Sequence, residues 1–520
     1  MTMKSGFFIA LLLLFIADVS KAQTTDFNSI EHFSLDLNLE NQESPPYIYF
    51  DSTEAKYYLL FNYKKNELFS DKDAYYSGSL TLVVTDISFN ILWKKAVKLE
   101  KNIFKYFYPS TVLNNKDKLY FLYTRKQDKI GGLIIDKNDR TVLSNQELMT
   151  SGENEDFICV LNDENSHYAV GYEKSNKQIN FYPISEEGKV GDKKTFQLPD
   201  PEKYNYKTWL KAVASIDNTQ SVPLVRSCLR NKVFLWKDLA VFTWIDKDAK
   251  SKVNYVSVMK LNIKTMQSSV EKWGLPDVFG QAENYIYHDK FFIFKYGDSG
   301  MSLLISNLDT PKEVIKSYNT LTGPINFRNS ELVEEEYETT LYYGLSDNSK
   351  EDVKASKKFI DKLGNYFPGV TVRENGEDYE ICMGAANYKD VNYFDSYLLN
   401  LSSPVYVINS SLNVMNSKLK RLGDVTAFNQ PNKTGVSLSL GLRTNSNIEF
   451  YFKSLINKNT LEHHKGAVAH LYRDIEQEFN EKIQPDYSKY DNVGYYTING
   501  KDYYTFYSPK KKQFRIVREH

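Results

Sequence analysis

The chain has 520 residues, 42% of them apolar and 25% charged, the balance of a globular protein rather than of a disordered tail. A formal net charge of −1 supplies no field that would steer it toward nucleic acid or an anionic membrane surface, so neither is an expected partner. The three cysteines, Cys159, Cys228 and Cys382, are odd in number and far apart, which excludes a disulfide framework; Cys159 and Cys382 sit in apolar runs and read as buried strand positions.

Lys4 begins the chain with a positive charge, Phe7 to Ala17 is apolar, and Ser20-Lys21-Ala22 is a small-x-small cleavage site before Gln23. The pattern predicts a secretory signal peptide over residues 1–22, because so short an apolar stretch cannot span a bilayer. No cysteine follows it to carry a lipid, and no later stretch is long enough to cross. The mature chain is therefore expected without a transmembrane span, exported to the outside, the periplasm or the cell surface.

Phe33-Ser-Leu-Asp-Leu-Asn-Leu39 alternates apolar and polar residues, a half-buried strand that Ser44-Pro-Pro46 separates from the next apolar run. A unit of four short runs then begins: 47–50, 57–63, 79–84 and 91–99. A second occupies 110–113, 119–123, 132–135 and 141–143. A third occupies 157–161, 167–172, 179–182 and 195–198. A fourth, longer unit holds 239–245, 255–261 and 269–273. The fifth is the clearest, with runs at 284–288, 291–296, 301–306 and 313–318 separated by Gly, Asn and Asp. Runs rich in aromatic and β-branched residues between such turns read as antiparallel four-stranded meanders.

After the third run of each unit comes a turn former: Asp86, Asp136, Ser185, Asn262, Asn307, Asn409 and Asn457, at intervals of 50, 49, 77, 45, 102 and 48 residues. Side chains of these types bond to their own backbone two residues on and set a tight reversal. A period near 50 with insertions signals a repeat architecture, and a lone four-stranded sheet cannot bury both faces, so neighbouring units must stack. The last unit, 493–498, 503–507 and 514–517, has three strands. The isolated strand 33–39 would supply its fourth and join the two ends of the chain.

This organisation resembles the β-propellers. It implies an all-β fold of seven or eight four-stranded blades, one domain over residues 33–520, sealed by pairing of the N- and C-terminal strands. The resemblance is architectural: the Gly-His and Trp-Asp marks of WD40 blades, the double glycine of kelch repeats and the Ser-x-Asp-x-Gly-x-Thr-Trp box of sialidases are absent, so no family function comes with it. Two helical insertions are expected, at about 325–367 and 463–485. Ser349 starts one, with Val353, Ser356, Ile360 and Leu363 at helical spacing and Gly364 and Pro368 ending it. Val468, Leu471, Ile475 and Phe479 mark the other before Pro485. Residues 330–343 read as a second helix or a charged hairpin.

Motifs that carry a reaction are missing: there is no phosphate-binding loop, HExxH, CxxC pair or GxSxG elbow. Gly297-Asp-Ser-Gly300 has the letters of a serine-protease nucleophile loop, but it joins two strands and no His/Asp partner can be placed for Ser299. His463, His464 and His470 lack metal-ligand spacing. Glu334-Glu-Glu336 and Lys510-Lys-Lys512 read as solvated, and Asp246-Lys-Asp248 as a turn. Asn400, Asn409 and Asn432 are glycosylation acceptors in a eukaryotic secretory pathway only. No catalytic residue, metal ligand or cofactor is assigned, and the binding residues stay unknown. The sequence points first to a secreted, non-enzymatic, monomeric propeller that binds a protein or glycan on one face. The alternatives are an extracellular polysaccharide hydrolase or lyase using carboxylates at the channel mouth, and a structural subunit of a cell-envelope assembly.

Overall fold

A computed structural model describes residues 31–36, 47–64, 78–98, 111–126, 129–163, 166–200, 204, 206–210, 213–216, 224–247, 254–275, 280–297, 300–321, 323–336, 339–343, 349–364, 366–386, 436–437, 449–468, 491–498, 501–508 and 513–518. The first strand, β1 (Glu31–Asp36), is set apart from the rest. The first sheet comes next, with β2 (Tyr47–Asp51), β3 (Lys56–Lys64), β4 (Gly78–Asp86) and β5 (Ile91–Lys98). The second has β6 (Thr111–Asn114), β7 (Lys118–Lys126), β8 (Lys129–Asp136) and β9 (Thr141–Thr150). The third has β10 (Glu155–Asp163), β11 (Ser166–Glu173), β12 (Gln178–Pro183) and β13 (Lys194–Gln197).

Two short helices and a strand precede the fourth sheet proper: α1 (Tyr206–Leu210), β14 (Ala214–Ile216) and α2 (Leu224–Ser227). The sheet continues with β15 (Asn231–Trp236), β16 (Leu239–Lys247), β17 (Asn254–Asn262) and β18 (Gln267–Gly274), and β14 pairs parallel to β15. The fifth holds β19 (Gln281–Tyr287), β20 (Lys290–Gly297), β21 (Gly300–Asn307) and β22 (Val314–Thr320). The sixth is assembled from β23 (Leu332–Glu336), β24 (Thr339–Tyr343), β25 (Phe367–Asn375), β26 (Asp378–Ala386) and β28 (Glu449–Asn457), with α3 (Ser349–Leu363) between β24 and β25. The last joins β27 (Val436–Ser437), β29 (Asp491–Ile498), β30 (Lys501–Ser508) and β31 (Gln513–Arg518) to β1.

Seven sheets of four or five strands are thus described. In the regular ones the first strand is buried along nearly its whole length, as in β10 and β19, while the last is largely exposed, as in β18 and β22. That gradient places the first strands at a common axis and the fourth at a rim. Faces pack on faces between neighbours, and aromatic rings fill the junctions. Phe61 meets Phe514 edge-on at 5.1 Å between the first and last sheets. Tyr49 meets Phe121 between the first and second, Phe234 meets Tyr285 between the fourth and fifth, and Phe292 meets Tyr379 between the fifth and sixth. Each such pair is worth ~0.5–1.5 kcal/mol beyond the area it buries. The abundance of Tyr and Phe is therefore a packing requirement of stacked sheets. This is a β-propeller.

Its closure is as expected. β1 runs antiparallel to β31, with Phe33 opposite Ile516 and Leu35 opposite Phe514. Leu35, Phe514 and Ile516 are buried in one core with the first sheet. The turn chemistry also holds. The side chains of Asp86, Asp136, Asn262 and Asn457 each accept backbone N–H bonds from the residues two to four positions on. In four sheets the residue after that turn donates its N–H to a carbonyl in the sheet's first hairpin: Lys137 to Asp117, Ile263 to Asp238, Leu308 to Asp289 and Lys458 to Glu377. The repeat of this bond identifies β25, β26 and β28 as first, second and third strands of the sixth sheet. β23, from upstream, takes the fourth place.

The structure departs from the sequence reading in three places, the blade count being none of them. Three of the seven sheets have five strands rather than four. The count of eight rested on the turn at Asn409, which lies outside the described residues. Among the described residues of 325–367 only Ser349–Leu363 is helical; of the two readings for 330–343 the hairpin holds, with 332–336 and 339–343 as its strands, because Leu332 and Val333 are buried and β23 pairs with β28. Of the helix expected at 463–485, residues 463–468 are not helical, and 469–485 fall outside the described residues.

Candidate functional site

The long fourth unit departs from the repeat before β15. After β13 the chain turns inward. Trp209 of α1 stacks on Trp244 at 4.4 Å, and β14 lies along the inner edge of β15. Ser215 Oγ donates to Val160 O of β10 at 3.1 Å, so β14 bridges the first strands of the third and fourth sheets. α2 then rests against β19, β25 and β26. The described residues of 206–228 thus form a plug of the protein's own atoms, with α1 in the core between the third and fourth sheets and β14 and α2 against inner strands of the third to sixth sheets. Its seat on the sixth sheet is Gly369, which faces Gly384 across the ladder. A Cβ on Gly369 would lie 2.6 Å from Cys228 Sγ and 2.9 Å from Leu224 Cδ1. Only a residue without a side chain admits the helix so close.

Beside this plug lies a buried ion pair. Lys232 of β15 places Nζ 2.6 Å from Glu283 Oε1 and 2.7 Å from the backbone oxygen of Asn284, both on β19. Glu283 Oε1 also accepts from the Asn284 N–H at 2.9 Å. The two side chains are 0% and 1% exposed. Burial pushes the Lys232 ammonium down and the Glu283 carboxyl up, and each is opposed by the charge of the other. A pair so enclosed orders the junction of the fourth and fifth sheets. It does not offer a nucleophile or base to a ligand, and its removal one partner at a time is costly.

The other buried carboxylates among the described residues are equally committed. Asp51 Oδ2 accepts from Lys137 Nζ at 2.6 Å, and Lys137 also reaches Asn114, tying the first sheet to the second. Burial opposes ionisation of Asp51, but bonds from Lys137 and Thr53 and the Lys137 charge outweigh it and hold the carboxyl below its usual range. Glu155 spans its own sheet, accepting from Asn180 Nδ2 and Tyr182 OH at 2.7 Å each. Glu380 receives Arg373 Nη2 at 2.7 Å and Lys453 Nζ at 3.0 Å. Each of the four acids lies in a different sheet and is bound to a cation or to neutral donors.

The residues singled out in the sequence are dispersed. His463 Nε2 lies 2.9 Å from Asn329 Oδ1, and burial holds the ring below its usual range. His464 Nε2 lies 3.3 Å from Asp378 Oδ2. Sequence reasoning missed Asn329, which also accepts from the Leu455 N–H and donates to the His464 and Gly466 carbonyls, stapling 329 and 463–466 to β28. Among the described residues no group of three or more His, Cys, Asp or Glu side chains is placed to hold a metal ion. Gly297 and Gly300 do pair across a two-residue hairpin. Ser299, His470, Asp248, Lys510–Lys512, Asn400, Asn409 and Asn432 lie outside the described residues. Asp246 is in β16, and Glu334–Glu336 are in β23. Cys159 and Cys228 are buried and Cys382 is partly exposed. No described helix is long and apolar enough to cross a membrane.

No protein-family model matches the chain, and no curated protein matches it. Among solved structures, the β-propeller domain of the Trilobed protease from Pyrococcus furiosus aligns at 9% identity over 66% of this chain and 90% of that one, with a TM-score of 0.28. An α-L-arabinofuranosidase from Clostridium thermocellum aligns at 11% identity over 55% and 96%, with a TM-score of 0.23. A mutant Synechocystis apocarotenoid oxygenase aligns at 8% identity over 54% of this chain and 63% of its own, with a TM-score of 0.27. That last match spans less than two thirds of the oxygenase. Likeness this distant says nothing of activity, and the fold rests on the sheet order and closure described above.

Proposed function

We propose that the chain is an exported, non-enzymatic propeller that binds a protein or glycan partner on one face. The observation that supports this most is the plug: β14 and α2 set the protein's own residues against inner strands of the third to sixth sheets, the side from which a channel-mouth enzyme would work. The four buried carboxylates add weight. Glycoside hydrolysis calls for two acids roughly 5–10 Å apart across one substrate, whereas these are spent on separate structural bonds. A rigid ring plugged on that side leaves the loops at either end of the strands as the variable surface for recognition.

The test is capture by the immobilised chain lacking residues 1–22, offered an envelope fraction from its own source and a glycan panel. Retention of one defined protein or glycan, competed away by the soluble chain, is the expected result. Retention of nothing from either, or release of new reducing ends from an offered polysaccharide, would overturn the reading.

A further inference from the structure

Two of the three cysteines meet at the seat of the plug. Cys228 follows α2 directly and belongs to a small buried cluster with Leu224, Val333, Ala386 and Tyr451; Cys382 of β26 packs against that same cluster. The register explains how. Cys228 Sγ lies over Gly369, which pairs with Gly384, and Cys382 is two residues from Gly384 and so on the same face of the sheet. Both are thiols, and Cys382 is the exposed one of the two. Its surroundings differ from those of an inert core thiol. Lys453 stands directly across the ladder from it, and Glu380, two residues before it, carries both Arg373 and Lys453. These charged neighbours and its partial exposure set Cys382 apart from the two buried thiols.

We propose that Cys382 and Cys228 form a dithiol modification site for disulfide oxidants, with Cys382 the attacking thiol and Cys228 the resolving one. The Cys382 thiolate attacks one sulfur of an external small-molecule or protein disulfide. A mixed disulfide forms and one thiolate leaves with a proton. Cys228 then gives up its proton, and its sulfur displaces the second thiolate from Cys382. The chain loses two protons and two electrons, and the external disulfide becomes two thiols. The product ties α2 to β26 and locks the axial plug onto the sixth sheet. Cys159 is excluded from this reaction by its place in the core between the third and fourth sheets.

The purified, reduced full chain is exposed to glutathione disulfide, quenched in acid, alkylated and mapped by peptide mass spectrometry. The expected result is a peptide pair joined through Cys228 and Cys382, with Cys159 alkylated throughout. In Cys228→Ala a glutathione adduct accumulates on Cys382, and in Cys382→Ser neither product forms. Before oxidation, Cys382 should alkylate at least about tenfold faster than Cys159. If Cys228→Ala does not fold, the time course of the unmodified chain decides, with a transient adduct on Cys382 preceding the internal disulfide. The proposal is overturned if both thiols remain alkylatable, or if the adduct on Cys382 persists in the presence of Cys228. The reaction is run on the purified chain, so failed capture of a partner leaves it standing, and its own failure leaves the binding reading standing.

Discussion

The fifth and sixth sheets share one hydrophobic core yet are made in opposite ways. The fifth is four consecutive strands joined by short turns, and every partner is the next strand along the chain. The sixth gathers three separated stretches: its fourth-place strand β23 precedes α3, its third strand β28 comes after a long excursion, and its inner face is cut back to glycine to seat α2. The lesson is that a sheet built from neighbours can be recognised and stabilised locally. A sheet built from distant pieces depends on close backbone approaches that only the assembled fold supplies.

The largest expected effect tests the buried ion pair that ties the fifth sheet to the fourth. Glu283→Gln strands the Lys232 ammonium in a buried site and should lower unfolding free energy by about 3–5 kcal/mol in urea titration. The pair Lys232→Met with Glu283→Leu should recover most of that loss, since a packed apolar pair of similar volume is often neutral or better. A single-variant loss below ~1 kcal/mol would mean that the ion pair does not hold the junction.

The next effect separates the two sheets directly. Gly384→Ala puts a Cβ 1.8 Å from Phe450 O and Gly369→Ala drives one into α2, whereas the Cβ of Gly280→Ala in the fifth sheet meets nothing closer than 3.4 Å. Either sixth-sheet variant should cost about 1–3 kcal/mol with faster amide exchange in α2, while Gly280→Ala stays within roughly 0.5 kcal/mol. Equal effects would erase the contrast. The smallest effect concerns turns. Asn457 Oδ1 caps the third-strand turn of the sixth sheet through the N–H groups of Asn459 and Thr460, while Asn307 in the fifth bonds Lys290 Nζ instead. Asn457→Ala should cost about 1 kcal/mol and Asn307→Ala about half that, read from thermal midpoints.

The same contrast explains what could be read in advance. Asp86, Asp136, Asn262 and Asn457 act on their own backbone, so residue type and spacing revealed them. β1 was legible as the closing strand because the last unit was one strand short and Phe33 and Leu35 alternate with polar residues. β24 pairs with β23 as the charged hairpin that the Glu334–Glu336 run half concealed by interrupting alternation. The axial plug left no local signal beyond a 77-residue interval. Its helices are a turn or so long, and what holds them, Trp244, Val160 O and Gly369, lies in other parts of the sequence. The Lys232–Glu283 pair was hidden for the same reason: among so many charges, nothing in either residue's neighbourhood marks it for burial.

Pairing β1 with β31 has a consequence for how the molecule comes into being. β1 emerges long before its mate and must wait while all the strands between them are synthesised. The circle cannot be locked until the final ribbon arrives, so a nascent or prematurely stopped chain displays an adhesive seam. Any helper protein that shields that seam would decide between a finished ring and head-to-tail aggregates.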